Sequence, residues 1–154
     1  MTSPSMTPPP TPTPFIPLRI VAVGDAAALD DFIEVPRPIF ESDPAWIQPL
    51  HLERRLHLSP RSNPYFQHAR WQAWTAWRGR EPVGRISAQI DTLHLERYRD
   101  ATGFFGMLDA EDNQETFAAL LQTAEQWLRE QGMKRARGPF NLSINQEMGL
   151  LVDG

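Results

Sequence analysis

The sequence contains no cysteine, which excludes disulfide bonds, thiolate metal sites and cysteine nucleophiles. No apolar run approaches the ~20 residues that a transmembrane helix needs, and the start lacks the basic and apolar regions of a secretory signal. These absences predict a cytoplasmic protein. Lys134 is the single lysine and the net charge is −4, so we expect neither nucleic acid nor an anionic membrane as a partner.

Motifs with a fixed chemistry are also missing. The sequence has no phosphate-binding GxxxxGK loop, no GxGxxG fingerprint and no nucleophile elbow. Its histidines, His51, His57, His68 and His94, are widely spaced, and the first two are not separated by the four residues that place two ligands on one helix face. We therefore expect no metal site.

Proline is concentrated at the start of the chain. Residues 1–17 hold seven of the 15 prolines, and proline removes backbone donors and fixes φ. This composition predicts a disordered or polyproline-like leader over residues 1–17. Residues 18–154 then form one domain, because 41% apolar residues in a chain of this length can build an ordinary core.

The hydrophobic pattern of residues 18–140 alternates between strand and helix periods. It predicts the order strand, helices, three strands, helix, strand, and therefore an α/β domain. Asp25 is expected to cap the first helix, which Pro36 and Pro38 should break. Asp112 is expected to cap the long helix, and Gly132 to end it. The predicted strands cover residues 18–24, 69–77, 83–91, 102–110 and 133–140, and a short helix covers 50–58.

The second and third predicted strands form a hairpin with one buried face. Ile86, Ala88 and Ile90 share one side of the third strand, and polar residues share the other. On the second strand, Trp71 and Trp77 fall on the buried face. Trp74 points the other way, and we therefore interpret it as a ligand contact.

Two polar segments could form sites. The segment from Asp109 to Glu115 carries four carboxylates at the start of the long helix, which is explained by capping and by the helix dipole. The segment after residue 140 carries five hydrogen-bonding side chains within seven residues, more than turn chemistry requires. It predicts a ligand-facing surface made of Asn141, Ser143, Asn145, Gln146 and Glu147.

The order of elements resembles the first two-thirds of the GNAT N-acetyltransferase fold. Five segments are similar to an uncharacterised bacterial family of GNAT-like proteins, and the resemblance covers about residues 17–154. These segments read DPAWIQPL, SPRSNPYFQHA, EPVGRISAQID, GFFGMLDAEDN and RGPFNLSINQEMGLLVDG. The resemblance implies a mixed α/β sheet and acyl transfer from acetyl-CoA or another acyl-CoA to a small-molecule amine.

The resemblance also implies roles for particular residues. Glu147 is the implied base, and Asn141 and Asn145 would orient the substrate, together with Trp74. Phe105, Met107 and Leu108 would line the cleft for the acyl-pantetheine arm. Gln114 and Glu115 lie where the resemblance places the diphosphate of the cofactor.

Two departures from the GNAT pattern keep alternatives open. The segment DNQETFA, residues 112–118, replaces the Gly-rich phosphate loop and has no glycine and no basic residue. A non-catalytic binding or interaction module that does not use CoA is therefore the alternative. The sequence also stops at Gly154, before the last helix and closing strands of the fold. We expect a fragment of a longer protein, or a partner chain that completes the sheet; a third interpretation is an incomplete, inactive product.

Overall fold

The computed structural model describes residues 15–149, so the predicted leader lies outside the described part except for its last three residues. The elements follow the predicted order, with one additional helix and with a short two-stranded hairpin after the last predicted strand. The strands are β1 (Leu18–Ala22), β2 (Ala69–Arg78), β3 (Glu81–Asp91), β4 (Thr102–Ala110), β5 (Arg135–Arg137), β6 (Phe140–Asn141) and β7 (Glu147–Met148). The helices are α1 (Ala26–Glu34), α2 (Pro36–Phe40), α3 (His51–His57), α4 (Thr92–Tyr98) and α5 (Gln114–Glu130), with a 3-10 helix at Pro64–Gln67.

One mixed sheet organises the domain. Its strand order is β1-β2-β3-β4-β5, and the first four strands pair antiparallel. β4 and β5 are parallel because α5 connects them and returns the chain to the same end of the sheet. β4 therefore has a neighbouring strand on each side.

Both faces of the sheet are covered, so the predicted one-sided hairpin is wrong. α5 packs on one face through Leu120, Ala124 and Leu128, and the face that holds α1 carries a second core around Phe32. Gln89 was assigned to the solvent side, but it is fully buried. Its amide donates hydrogen bonds to backbone oxygens of residues 140 and 142, and these bonds offset the cost of burying a polar group.

The helix ends follow local chemistry, with one correction. Asp25 caps α1 by accepting a hydrogen bond from the Ala28 backbone nitrogen at 2.8 Å, as predicted. Pro36 begins a new helix directly after α1, which confirms the predicted break. The cap of α5 is Asn113, whose side chain accepts from the Glu115 nitrogen at 2.9 Å. The prediction of Asp112 is wrong because the neighbouring Asn113 has the extended backbone that a cap needs.

Candidate functional site

β4 loses its regular pairing halfway along its length. It pairs with β5 only over Thr102, Gly103 and Phe104, and beyond them the chain passes into β6. On its other side the register with β3 shifts at a bulge, where Met107 has a φ of 47°. The edge of β4 around residues 105–108 is therefore not closed by a regular strand.

A groove of about 720 Å³ opens along this part of β4. We call it the β4 groove. It lies on the α1 face of the sheet, between the α1–α2 region, the loop after α2 and the β6–β7 hairpin. Its lining includes Ile33, Phe40, Trp46, Ile47, Arg54, Arg85, Met107, Leu108, Asp109, Asn141 and Glu147. The apolar and charged residues of this lining suit a ligand with an apolar chain and a polar head.

A partly buried ion pair lies in the wall of the β4 groove. The Arg85 guanidinium contacts the Asp109 carboxylate at 2.7 Å and donates to the Phe32 carbonyl at 3.1 Å. Burial lowers the pKa of Arg85, although the charge of Asp109 opposes that shift. Arg85 was not predicted as a site residue, because an arginine on an alternating strand is normally a solvent-facing side chain.

Asn141 connects the hairpin to β4. Its Oδ1 accepts a hydrogen bond from the Met107 backbone nitrogen at 2.8 Å, and its Nδ2 donates to Glu147 at 3.0 Å. Glu147 in turn forms an ion pair with Arg54 at 2.8 Å. The predicted residues Met107, Asn141 and Glu147 are thus brought together, and Arg54 is an unpredicted member of the same chain of contacts.

The environment of Glu147 favours its carboxylate form. Partial burial raises its pKa, but hydrogen bonds from Arg54 and Asn141 and the charges of Arg54 and His57 lower it more, so that the net pKa lies below its ordinary value. A carboxylate with a lowered pKa that is engaged by two donors takes up a proton less readily. The contacts of Glu147 therefore suit positioning of the hairpin better than proton transfer.

Of the other predicted cleft and substrate residues, only one lies in the β4 groove. Leu108 lines the groove, whereas Phe105 packs against the core beneath α5. Asn145 lines a different cavity. Trp74 is 7% exposed, and its ring lies 6.1 Å from that of Trp127 in α5. Trp74 therefore packs against the long helix and not in the β4 groove, and its role as a ligand contact stays a prediction.

The start of α5 is acidic and internally paired. Arg78 contacts Glu111 at 2.9 Å and Glu115 at 2.8 Å. The Asn113 side chain accepts a hydrogen bond from the Glu115 backbone nitrogen. Gln114 is exposed in the first turn. A diphosphate here would meet carboxylates at a helix start whose positive guanidinium is already engaged. These residues do not fit the diphosphate of acyl-CoA, whereas the β4 groove has room for an acyl chain.

The fold is that of the GNAT acyltransferases. An aminoglycoside acetyltransferase from an uncultured soil metagenomic sample, solved in complex with trehalose, superposes with a TM-score of 0.53 at 15% identity. The superposition covers 80% of this chain and 78% of that structure. At this identity the likeness shows the fold alone.

Two curated proteins are similar in sequence. Protein YghO of Escherichia coli is 53% identical over 126 residues, which are 82% of this chain and 32% of that protein. A bacterial ceramide synthase of Caulobacter vibrioides is 48% identical over 138 residues, which are 89% of this chain and 36% of that protein. The chain thus spans about a third of the length of the curated relatives it matches. No family model matches the chain.

Among the described residues, 15–149, none of the helices is long and apolar enough to cross a bilayer. Within the same range, no group of three or more histidine, aspartate or glutamate side chains is arranged to hold a metal ion.

Proposed function

We propose that this chain forms the acyl-transfer part of an N-acyltransferase, which moves an acyl group from an acyl thioester to an amine. The observation that carries the proposal is the β4 groove beside the irregular second half of β4, in a domain with an acyltransferase fold. The apolar walls and few charged groups of this groove suit an acyl-thioester arm.

The reaction joins an amine nitrogen to the thioester carbonyl carbon. The nitrogen lone pair forms the new C–N bond, the C–S bond breaks, and the leaving thiolate takes a proton while the nitrogen loses one. Negative charge develops on the carbonyl oxygen during the attack. Arg54 is a cationic side chain of the β4 groove that contacts the β6–β7 hairpin through Glu147, and we assign its guanidinium to the stabilisation of that charge.

The acceptor that we propose is a long-chain amino alcohol. A relative that is 48% identical over most of this chain is named a bacterial ceramide synthase, and a ceramide is the fatty amide of a long-chain amino alcohol. The apolar walls of the β4 groove suit the fatty acyl chain of the donor, since Phe40, Trp46 and Ile47 all line it. The start of α5 does not fit a diphosphate. We therefore propose that most of the binding free energy of an acyl-CoA comes from its acyl arm.

The test incubates the chain with palmitoyl-CoA and sphinganine and follows both products. Mass spectrometry should detect the fatty amide, and a thiol reagent should detect an equal amount of released CoA. The chain lacks cysteine, so the thiol signal comes from CoA alone.

Asn141→Leu should slow the release of CoA by roughly tenfold, a loss of about 1.4 kcal/mol of transition-state stabilisation. Gln122→Leu, on the exposed side of α5, is the matched control and should keep the rate. Absence of both products would contradict the proposal.

The acidic start of α5 supports a second candidate function. A binding module that does not use CoA has no need of a phosphate-binding helix start, and Glu111 and Glu115 are paired with Arg78 instead. This candidate predicts that sphinganine or palmitate raises the melting temperature while CoA has no effect and no thiol is released. Thiol release that requires both substrates would exclude it.

A further inference from the structure

A second cavity, of about 750 Å³, lies on the other side of residues 139–142 from the β4 groove. Pro139 and Asn141 line the groove, whereas Phe140 and Leu142 line the cavity. This alternation is expected for an extended segment, whose successive side chains point in opposite directions. We call the second space the aromatic cavity. Its walls include Tyr65, His68, Asp91, His94, Tyr98, Asp100, Phe104, Phe140, Leu142 and Asn145.

A histidine and an aspartate are held together in its wall. The Nδ1 of His68 lies 2.9 Å from Oδ1 of Asp91. The same carboxylate oxygen caps α4 by accepting from the Leu93 backbone nitrogen at 2.9 Å. The His68 carbonyl accepts from both the backbone nitrogen and the hydroxyl of Thr92. The backbones and the facing side chains of this pair are therefore both fixed.

The pairing determines which nitrogen of His68 is available. A carboxylate accepts hydrogen bonds, so a neutral His68 carries its proton on Nδ1 and leaves Nε2 with a free lone pair. Nε2 has no hydrogen-bond partner within residues 15–149, and it is not among the fully buried polar atoms that lack partners. It is thus available to a ligand in the aromatic cavity.

Aromatic rings form two walls of the cavity. On one side, the His94 ring lies 4.7 Å from Tyr98 and 4.9 Å from Phe104, and Phe104 lies 5.2 Å from Phe140. On the other side, Tyr65 lies edge-on to His68 at 5.3 Å. Aromatic faces attract cations and also contact apolar chains.

The charges of the cavity favour a cation. Asp91 and Asp100 contribute two carboxylates, each next to a histidine, whereas Arg137 is an exposed side chain at the rim. Burial raises the pKa of Tyr65, and the negative charge of Asp91 raises it further, so the phenol stays neutral. The field of Asp91 therefore reaches the aromatic wall.

We propose that the aromatic cavity binds a primary ammonium attached to an apolar chain, and that Nε2 of His68 accepts a hydrogen bond and then a proton from it. The N–H bond of the ammonium breaks, its electron pair stays on nitrogen, and the proton forms the second N–H bond of His68. The product is a neutral amine beside an imidazolium that Asp91 stabilises. The identity of this amine as the acyl acceptor rests on the proposed function, but its binding does not.

Three ligands of similar size test the proposal by NMR titration of the chain. Hexylammonium carries a charge and N–H donors, hexyltrimethylammonium carries only the charge, and hexan-1-ol is neutral. We expect hexylammonium to bind at least about tenfold more tightly than hexan-1-ol. Its largest shifts should fall on His68, Tyr65 and Phe104, and hexyltrimethylammonium should bind with an intermediate affinity.

Two kinds of variant separate the effect of the aspartate charges from that of the proton acceptor on His68. Asp91→Asn should reduce hexylammonium affinity toward that of hexan-1-ol, and Asp100→Asn should weaken it as a second, independent test if the first variant unfolds. His68→Phe keeps a ring beside Tyr65 and should remove the preference for hexylammonium over hexyltrimethylammonium. His51→Phe is the matched control, because His51 lies on α3 outside the cavity lining and should leave all three affinities unchanged.

Three results would overturn the proposal: equal affinity for hexan-1-ol and hexylammonium, shifts centred on Met107 in the β4 groove, or an unchanged affinity in both aspartate variants. These titrations contain no thioester, so their failure leaves the acyl-transfer proposal standing. Conversely, amine binding without any thiol release would uphold the cavity and contradict the transfer reaction.

Discussion

Asn141 Oδ1 takes the hydrogen bond of the Met107 backbone nitrogen, at 2.8 Å, where a neighbouring strand would otherwise pair with β4. Asn141→Ala removes this acceptor and also the donor to Glu147. We expect it to cost about 1 kcal/mol of stability and to speed hydrogen exchange at the Met107 amide. Native-state exchange by NMR measures both effects. Asn145→Ala is the control, because the hydrogen bond found for Asn145 comes from its backbone nitrogen. Equal exchange rates in the two variants would contradict the prediction.

Gly106 is a second contact between β4 and the hairpin. A Cβ at this position would overlap the backbone carbonyl of Phe140, and backbone atoms cannot move aside as the end of a flexible side chain can. Gly106→Ala should therefore push residues 138–149 away from β4 and lower the melting temperature. Gly24→Ala is the matched control, since its Cβ would have no neighbour within 4 Å. If both variants melt at the same temperature, β4 and β6 are not in this close contact.

Trp74 tests the assignment of the α5 face as core. Trp74→Ala should cost roughly 3–5 kcal/mol, the range for truncation of a large buried aromatic side chain. Trp46→Ala should cost less, because Trp46 is a half-buried residue in the loop that lines the β4 groove. Urea unfolding of both variants gives the comparison. A small effect at Trp74 together with loss of ligand binding would support the prediction that Trp74 contacts a ligand.

The ion pair between Glu111 and Arg78 makes the stability of the fold depend on pH. Burial raises the pKa of Glu111, but hydrogen bonds from Thr116 and Arg78 and the charge of Arg78 lower it below its ordinary value of 4.5. A carboxyl group with a lowered folded pKa stabilises the fold above its unfolded pKa and loses that contribution as the pH falls through the folded value. Arg78→Gln should therefore destabilise the protein near neutral pH, and the difference from the unchanged protein should shrink below about pH 4.5.

Urea unfolding at several pH values measures that difference. Arg129→Gln is the control, because Arg129 is an exposed residue in the last turn of α5 with a hydrogen bond to Gln126. Its effect should be small and should not follow the titration of Glu111. A difference for Arg78→Gln that stays constant from neutral to acid pH would contradict the coupling.

The partly buried pair in the β4 groove predicts a non-additive result. Arg85→Met leaves the half-buried Asp109 carboxylate without its cation, and loss of such a partner typically costs about 1–3 kcal/mol. The double variant with Asp109→Leu should recover much of that loss, because neither charge is then left without its partner. A double-mutant cycle by urea unfolding measures the coupling. Additive losses would mean that the two side chains do not depend on each other.

Local sequence patterns predicted most of the helices and strands, but not that both faces of the sheet are covered. The stripe of apolar residues identified α5, and Gly132 identified its end, because both signals lie within one element. The burial of Gln89 could not be predicted, since its partners lie about 50 residues further along the chain. α4 was missed because it is short and its apolar residues Leu93 and Tyr98 stay exposed.

The candidate sites were partly predictable for the same reason. Met107, Asn141 and Glu147 were found from local polar density and from the resemblance, and they do come together. The pair of His68 and Asp91 was missed, because 23 positions separate them. The register of the β2–β3 hairpin, counted from its turn, places Asp91 opposite Ala69. Ala69 follows His68, so this register would have brought His68 and Asp91 together.

The two hydrogen bonds that the Gln89 side-chain amide donates to residues 140 and 142 have a consequence for the two cavities. Because residues 139–142 present alternate side chains to the β4 groove and the aromatic cavity, sliding this segment by one position would exchange their linings. Gln89 Nε2 lies 2.9 Å from both the Phe140 and Leu142 oxygens and opposes that slip. One buried glutamine therefore keeps Asn141 in the lining of the β4 groove and Phe140 in the lining of the aromatic cavity, and so preserves the difference between the two spaces.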